Sequence, residues 1–303
     1  MLTHGAAGDS TDTPSATRRC ARRPVRDFSR DTTITPPCLG APLTTQEAVR
    51  EPYVGSLRFR LAGFGVHIYT ASGSVLALLI VVAAMDGAVI RALWLSLAAL
   101  VIDGTDGMLA RKLRVSETMP WFDGARLDDI VDYLTYAFAP IVLLWTGHFL
   151  PSGPAGPVLA ALPLLASSYQ FCRTDAKTAD HFFLGFPSYW NVVAFYVVVL
   201  SLSPAATGAI LAICSILVFV PIRYIYPSRT KAFRQLNLLF TAIWLAAYAI
   251  LLVEMPDPSA VVVAVSLAYL VYYAGLSIYL TMISPRLPEK LLSRDAIAAD
   301  LED

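Results

Sequence analysis

Residues 101–140 read VIDGTDGMLARKLRVSETMPWFDGARLDDIVDYLTYAFAP, six aspartates set between two apolar stretches. The apolar stretch that runs into it, 88–110, and the one that runs out of it, 127–147, each approach the roughly 20 residues a helix needs to cross hydrocarbon. Outward from this pair the pattern repeats, giving eight apolar runs near 62–84, 88–110, 127–147, 155–172, 188–203, 205–223, 236–253 and 260–283. Lipid cannot satisfy backbone N–H and C=O groups, so such runs are expected to be helices. The expected fold is an all-α, polytopic membrane bundle of about eight helices.

Composition agrees: 56% of the residues are hydrophobic and 15% charged, too apolar for a soluble chain of 303 residues. A net charge of zero, with basic residues scattered, gives no reason to expect nucleic acid as a partner. Residues 1–55 are rich in Arg, Pro, Ser and Thr and read as a disordered tail, 56–285 as the membrane domain, and 286–303 as a second short tail. Arg58, Arg60, Arg111, Lys112, Arg114, Arg126, Arg173, Lys177, Arg223, Arg229, Lys231 and Arg234 fall in alternate loops, and Arg286, Lys290 and Arg294 in the last tail. The excess of Lys and Arg in cytoplasmic loops then places both tails and the aspartates on the cytoplasmic side. Cys20, Cys38, Cys172 and Cys214 show no metal-ligand spacing.

Ionisable groups at membrane depth are costly and mark function by default. Asp103 and Asp106, three apart, share a helix face. Gly124, Asp128 and Asp132, spaced by four, drift only about 40° per step along another. A short connection makes the two helices antiparallel neighbours and brings the carboxylates together. Side by side, four carboxylates call for cations, and oxygen ligands suit Mg²⁺ or Mn²⁺. Two such ions fit a displacement at phosphorus, with the planar fork of Arg111 on phosphate oxygens. Gly107, Ala110 and Gly124 leave room for a nucleotide. Asp123 and Asp129 read as helix-capping acids.

Asp103-x-x-Asp106-Gly107-x-x-Ala110-Arg111, followed by Gly124-x-x-x-Asp128-x-x-x-Asp132, resembles the signature of the CDP-alcohol phosphatidyltransferases over most of residues 60–283. The resemblance implies a six-helix membrane core, a CDP-linked donor, four metal-binding aspartates, Asp132 as base on the acceptor hydroxyl, and a homodimer. Twelve residues separate Arg111 from Gly124, a longer connection than most of the family carries. That length, with FDGARLD, VDYLTY, KTADHFFLGFPSYWN and FVPIRYIYPSR, resembles the bacterial phosphatidylcholine synthase branch and implies CDP-diacylglycerol and choline as substrates at the bacterial inner membrane.

Choline carries a fixed cation without N–H donors, which aromatic faces recognise. Tyr136, one turn beyond Asp132, and Tyr189 and Trp190, in a cluster with Phe182, Phe183 and Phe186, are candidates; interfacial belting explains the same composition. Arg173, Lys177, Arg223 and Arg229 could each bind donor phosphates, with Arg223 and Arg229 the candidate ligands, although orientation alone accounts for all four. His67, His148 and His181 show no ligand spacing. Serine, inositol or glycerol phosphate are alternative acceptors. A cation transporter also places aspartates in a bundle, but here they lie at one membrane edge, on helices that read as unbroken.

Overall fold

The computed structural model describes residues 57–230 and 232–283. Both tails, with their arginines and lysines, and Lys231 lie outside the described residues. Each of the eight apolar runs contains a helix, although the sixth leaves the helix after Leu217 and its last residue, Arg223, lies in a strand. They form α1 (Leu57–Met85), α2 (Val89–Lys112), a composite third segment, α6 (Ala155–Cys172), α7 (Trp190–Val199), α8 (Pro204–Leu217), α9 (Arg234–Glu254) and α10 (Ala260–Ile283). The short α3 (Val115–Thr118) lies in the connection after α2. The composite segment consists of α4 (Gly124–Asp132), a π-helical turn (Tyr133–Phe138) and α5 (Ala139–Thr146).

Among the described residues, five helices, α1, α2, α6, α9 and α10, are long and apolar enough to cross a membrane. Large apolar side chains face outward on them: Val253 and Val271 are each 73% exposed and Met282 80%. An apolar surface this extensive belongs against lipid. The protein is a helical membrane protein.

Local sequence explains the ends and contacts of these helices. Asp123 caps α4 by accepting from the Arg126 N–H at 3.0 Å, as its position suggested. Ser203 does the same for α8, where Pro204 takes the first turn. Gly87, at φ +68°, closes the tight α1–α2 connection. Helix α1 packs on α2, α4 and α5, α6 on α8, and α9 on α10 and α2. At the centre, Phe195 stacks on Tyr248 with centroids 3.6 Å apart, among Ile80, Ala83, Leu93 and Leu251. The buried hydroxyl of Tyr196 is satisfied by Ser266 and by the indole N–H of Trp244.

Two features depart from an all-α bundle of unbroken helices. Strands β1 (Phe182–Leu184) and β2 (Arg223–Ile225) pair antiparallel, with Phe183 opposite Tyr224. The Ser277 and Thr281 hydroxyls of α10 accept from the Ile225 and Arg223 N–H groups, fastening this small sheet to the end of the helix. The other departure is the π turn that directly follows Asp132. An inserted π turn rotates everything after it, and such turns cluster at functional sites.

Candidate active site

Three of the four expected carboxylates converge. Oxygens of Asp103, Asp128 and Asp132 lie within 4.8 Å of one another. Helix α2 supplies the first and α4 the other two, and α1 holds the pair of helices in place. A Cβ on Gly73 would come within 2.5 Å of Val131 Cγ1, so only glycine lets α1 approach α4 next to Asp132. Asp106 is buried and accepts from the Thr70 hydroxyl at 2.7 Å. It lines the same small void, about 10 Å³, as Asp103, Asp128 and Asp132. The π turn swings Tyr136 back so that its hydroxyl donates to Asp103 at 2.5 Å. An oxygen-only donor set of this kind fits a hard divalent cation.

Beside the void a cavity of about 590 Å³ opens, lined by Asp103, Asp106, Asp128, Gly107, Ala110, Arg111, Gly124, Lys177, Tyr226 and Arg229. It joins the carboxylates to cationic groups, an arrangement suited to a phosphate ester. The two glycines work through neighbours: a Cβ on Gly124 would meet the His67 ring at 2.8 Å, and one on Gly107 the Arg111 guanidinium at 3.3 Å. His67 is buried against Phe122, with ring centroids 4.2 Å apart.

Arg229 reaches the cavity with its guanidinium 5.7 Å above the Tyr226 ring. Arg223 does not: it pairs with Asp180 and lies over Phe182, where it braces the sheet. Trp190 is likewise corrected to a core residue. It is fully buried, its indole N–H donates to Ser167 Oγ at 2.7 Å, and its ring packs on Phe186. Tyr136 and Tyr189 do meet, at 5.8 Å, and Tyr189 continues to Phe183, which lies 4.7 Å from Tyr226.

Lys177 is the residue whose placement orientation arguments do not account for. Its ammonium lies 3.3 Å from Asp129, which is therefore an ion-pair partner and not a cap. Burial pulls the Lys177 ammonium down, but the Asp129, Asp128 and Asp132 carboxylates outweigh it and leave its pKa raised. Burial, and then the Asp103 charge, push the Tyr226 phenol up. Arg173 makes a bidentate pair with Asp175, both contacts at 2.7 Å, and donates to the Leu184 carbonyl, fixing the loop that carries Lys177.

Thr70 and Tyr226 are not singled out by the sequence, and His67 is named there only as a histidine without ligand spacing. A signal existed for Thr70 and His67: Gly63, His67, Thr70 and Gly73 recur at helical spacing on an otherwise apolar helix. Phe183 and Tyr226 come together only through the β1–β2 pairing.

The family profile described as CDP-alcohol phosphatidyltransferase matches residues 67–283. A phosphatidylcholine synthase of Borreliella burgdorferi is 37% identical over 218 residues, covering 71% of this chain and 93% of the relative. One of Legionella pneumophila is 37% identical over 240 residues, 77% of this chain and 93% of the relative. One of Pseudomonas aeruginosa is 38% identical over 218 residues, 71% of this chain and 90% of the relative. With its aspartates gathered between α2 and α4 and its profile match running from α1 to the end of α10, this chain belongs to the CDP-alcohol phosphatidyltransferase family.

Proposed function

We propose that this protein is a phosphatidylcholine synthase, converting CDP-diacylglycerol and choline to phosphatidylcholine and CMP. The observation that carries the reading is the carboxylate cluster of Asp103, Asp128 and Asp132 opening onto a cavity that also presents Arg111 and Arg229. The relatives named phosphatidylcholine synthase favour choline over other alcohols as acceptor.

Two divalent ions, Mn²⁺ or Mg²⁺, held by Asp103, Asp106, Asp128 and Asp132, would neutralise the diphosphate and stabilise the attacking and leaving oxygens. The protein's own groups do the rest. Arg111 and Arg229 bind phosphate oxygens through charge-assisted hydrogen bonds. Thr70 and Tyr136 fix the rotamers of Asp106 and Asp103. Asp132 takes the choline hydroxyl proton as that oxygen forms its bond to the lipid-side phosphorus. The bond from phosphorus to the CMP oxygen breaks, and CMP leaves with the electron pair. The trimethylammonium group is assigned to the aromatic group of Tyr189, Phe183 and the cavity-lining Tyr226, with the buried Tyr136 packed behind it.

The site and both tails face the cytoplasm at the bacterial inner membrane, and the active form is a homodimer. Thiol labelling of loop cysteines in intact cells checks the orientation, and cross-linking in native membranes checks the dimer.

The function is tested by CMP release from CDP-diacylglycerol by the purified protein with Mn²⁺ or Mg²⁺, comparing choline, serine, inositol, ethanolamine and glycerol 3-phosphate. Release that requires choline, is stopped by chelation and falls on the order of a thousandfold in Asp132→Asn is expected. Release with another alcohol alone rejects choline, and near-normal turnover in Asp132→Asn rejects the base.

A further inference from the structure

We propose that Lys177 belongs to the transfer site, where its ammonium contacts a phosphate oxygen of the CDP-linked donor while Asp129 holds it within reach. The proposal rests on reading this cavity as the place where a CDP-lipid binds.

Lys177 stands on neither aspartate-bearing helix; it lies in the loop between α6 and β1, 48 residues from Asp129. The loop backbone is pinned around it. Lys177 forms a bridge with Phe183, the Ala176 carbonyl accepts from the Leu184 N–H at 2.9 Å, and the Phe182 carbonyl accepts from the Thr178 N–H at 2.9 Å. With its backbone fixed, the long side chain reaches across to α4 and lines the cavity together with Asp103, Asp106, Asp128, Arg111 and Arg229. An ammonium has three N–H donors, and a single described contact, to Asp129 at 3.3 Å, occupies one of them. The side chain remains 48% exposed and lines the cavity, which leaves space for a ligand beside it.

The reaction supplies a reason for a cation here. As the bond to CMP breaks, the departing phosphate gains a negative charge, and a fixed ammonium beside the cavity stabilises it without reorganising. Asp129 acts as a positioning residue: it sits one residue past Asp128, rotated about 100° off the metal-facing side, and can hold the lysine without competing for the metals.

A plain surface ion pair tying the loop to α4 is the competing account, and the two differ in what they do to donor binding. The test is calorimetric titration of the purified protein with CDP and Mn²⁺, without acceptor, on wild type, Lys177→Met, Lys177→Arg and Asp129→Asn, with thermal stability measured in parallel. Expected are CDP binding about tenfold to a hundredfold weaker in Lys177→Met, partial recovery in Lys177→Arg and a smaller loss in Asp129→Asn, with melting temperatures close to wild type. In turnover, KM for CDP-diacylglycerol rises in Lys177→Met while KM for choline stays unchanged. Equal CDP affinity in wild type and Lys177→Met, a loss fully matched by lower thermal stability, or no CDP binding by wild type overturns the proposal. Because the titration contains no acceptor, CDP binding through Lys177 in a protein that then fails with choline would reject the acceptor and leave the lysine's role standing.

Discussion

At the residue scale, two neighbouring aromatics that look equivalent in sequence have opposite surroundings. Tyr189 faces the Tyr136 ring near the carboxylates, whereas Trp190 points into the core and donates to Ser167. Tyr189→Leu should raise KM for choline about tenfold, the scale of one desolvated cation–π contact. Trp190→Phe should leave KM for choline unchanged and cost about 1 kcal/mol of stability through the lost hydrogen bond. Initial rates over a range of choline concentrations, with thermal melts alongside, check both; the reverse pattern would put the tryptophan at the site. The convergence of Asp103, Asp128 and Asp132 was legible because carboxylates at membrane depth have no ordinary structural use, and Asp123 was legible as a cap. Lys177 and Arg223 were not. Each lies among the basic residues that orientation already explains, and only the fold shows that one meets Asp129 and the other Asp180.

At the scale of elements, the site depends on how closely α1 approaches α4. Gly73→Ala would drive a methyl group into Val131, next to Asp132, while Gly65 on the same helix has nothing within 4 Å of an added Cβ. Overpacking of this kind costs about 1–3 kcal/mol and displaces the helix that overfills. Gly73→Ala should therefore lose most CMP release as well as stability, and Gly65→Ala should keep both; equal behaviour of the two would show that α4 is not held by this contact. Apolar runs made the helices readable, since hydrophobic length is what lipid selects. The π turn was hidden because an unbroken apolar run looks the same whether it winds with one extra residue or not. Strands β1 and β2 escaped notice because three residues carry too little periodicity, and their pairing is a long-range event.

At the scale of the whole molecule, contacts tie one end of the bundle together. The start of α1 meets α3 and α4, the end of α2 shares the cavity with Tyr226 and Arg229, and the end of α10 holds β2. Among the described residues Arg111, Arg114, Lys177 and Arg229 line the cavity at this end, so the charges behind the expected orientation also border the proposed site. An anionic donor would enter where those charges and the carboxylates face each other. The opposite end, with the Gly87 turn, the Asp86–Arg91 pair and the Glu254 carboxylate accepting from the Ser259 N–H, is built of short closures.

The most direct measurement supplies choline labelled with ¹⁸O in its hydroxyl, together with CDP-diacylglycerol and Mn²⁺, to the purified protein and reads the mass of both products. The account predicts phosphatidylcholine carrying the label and an equal amount of unlabelled CMP. CMP formed without phosphatidylcholine, or label found in CMP instead of in phosphatidylcholine, would contradict it.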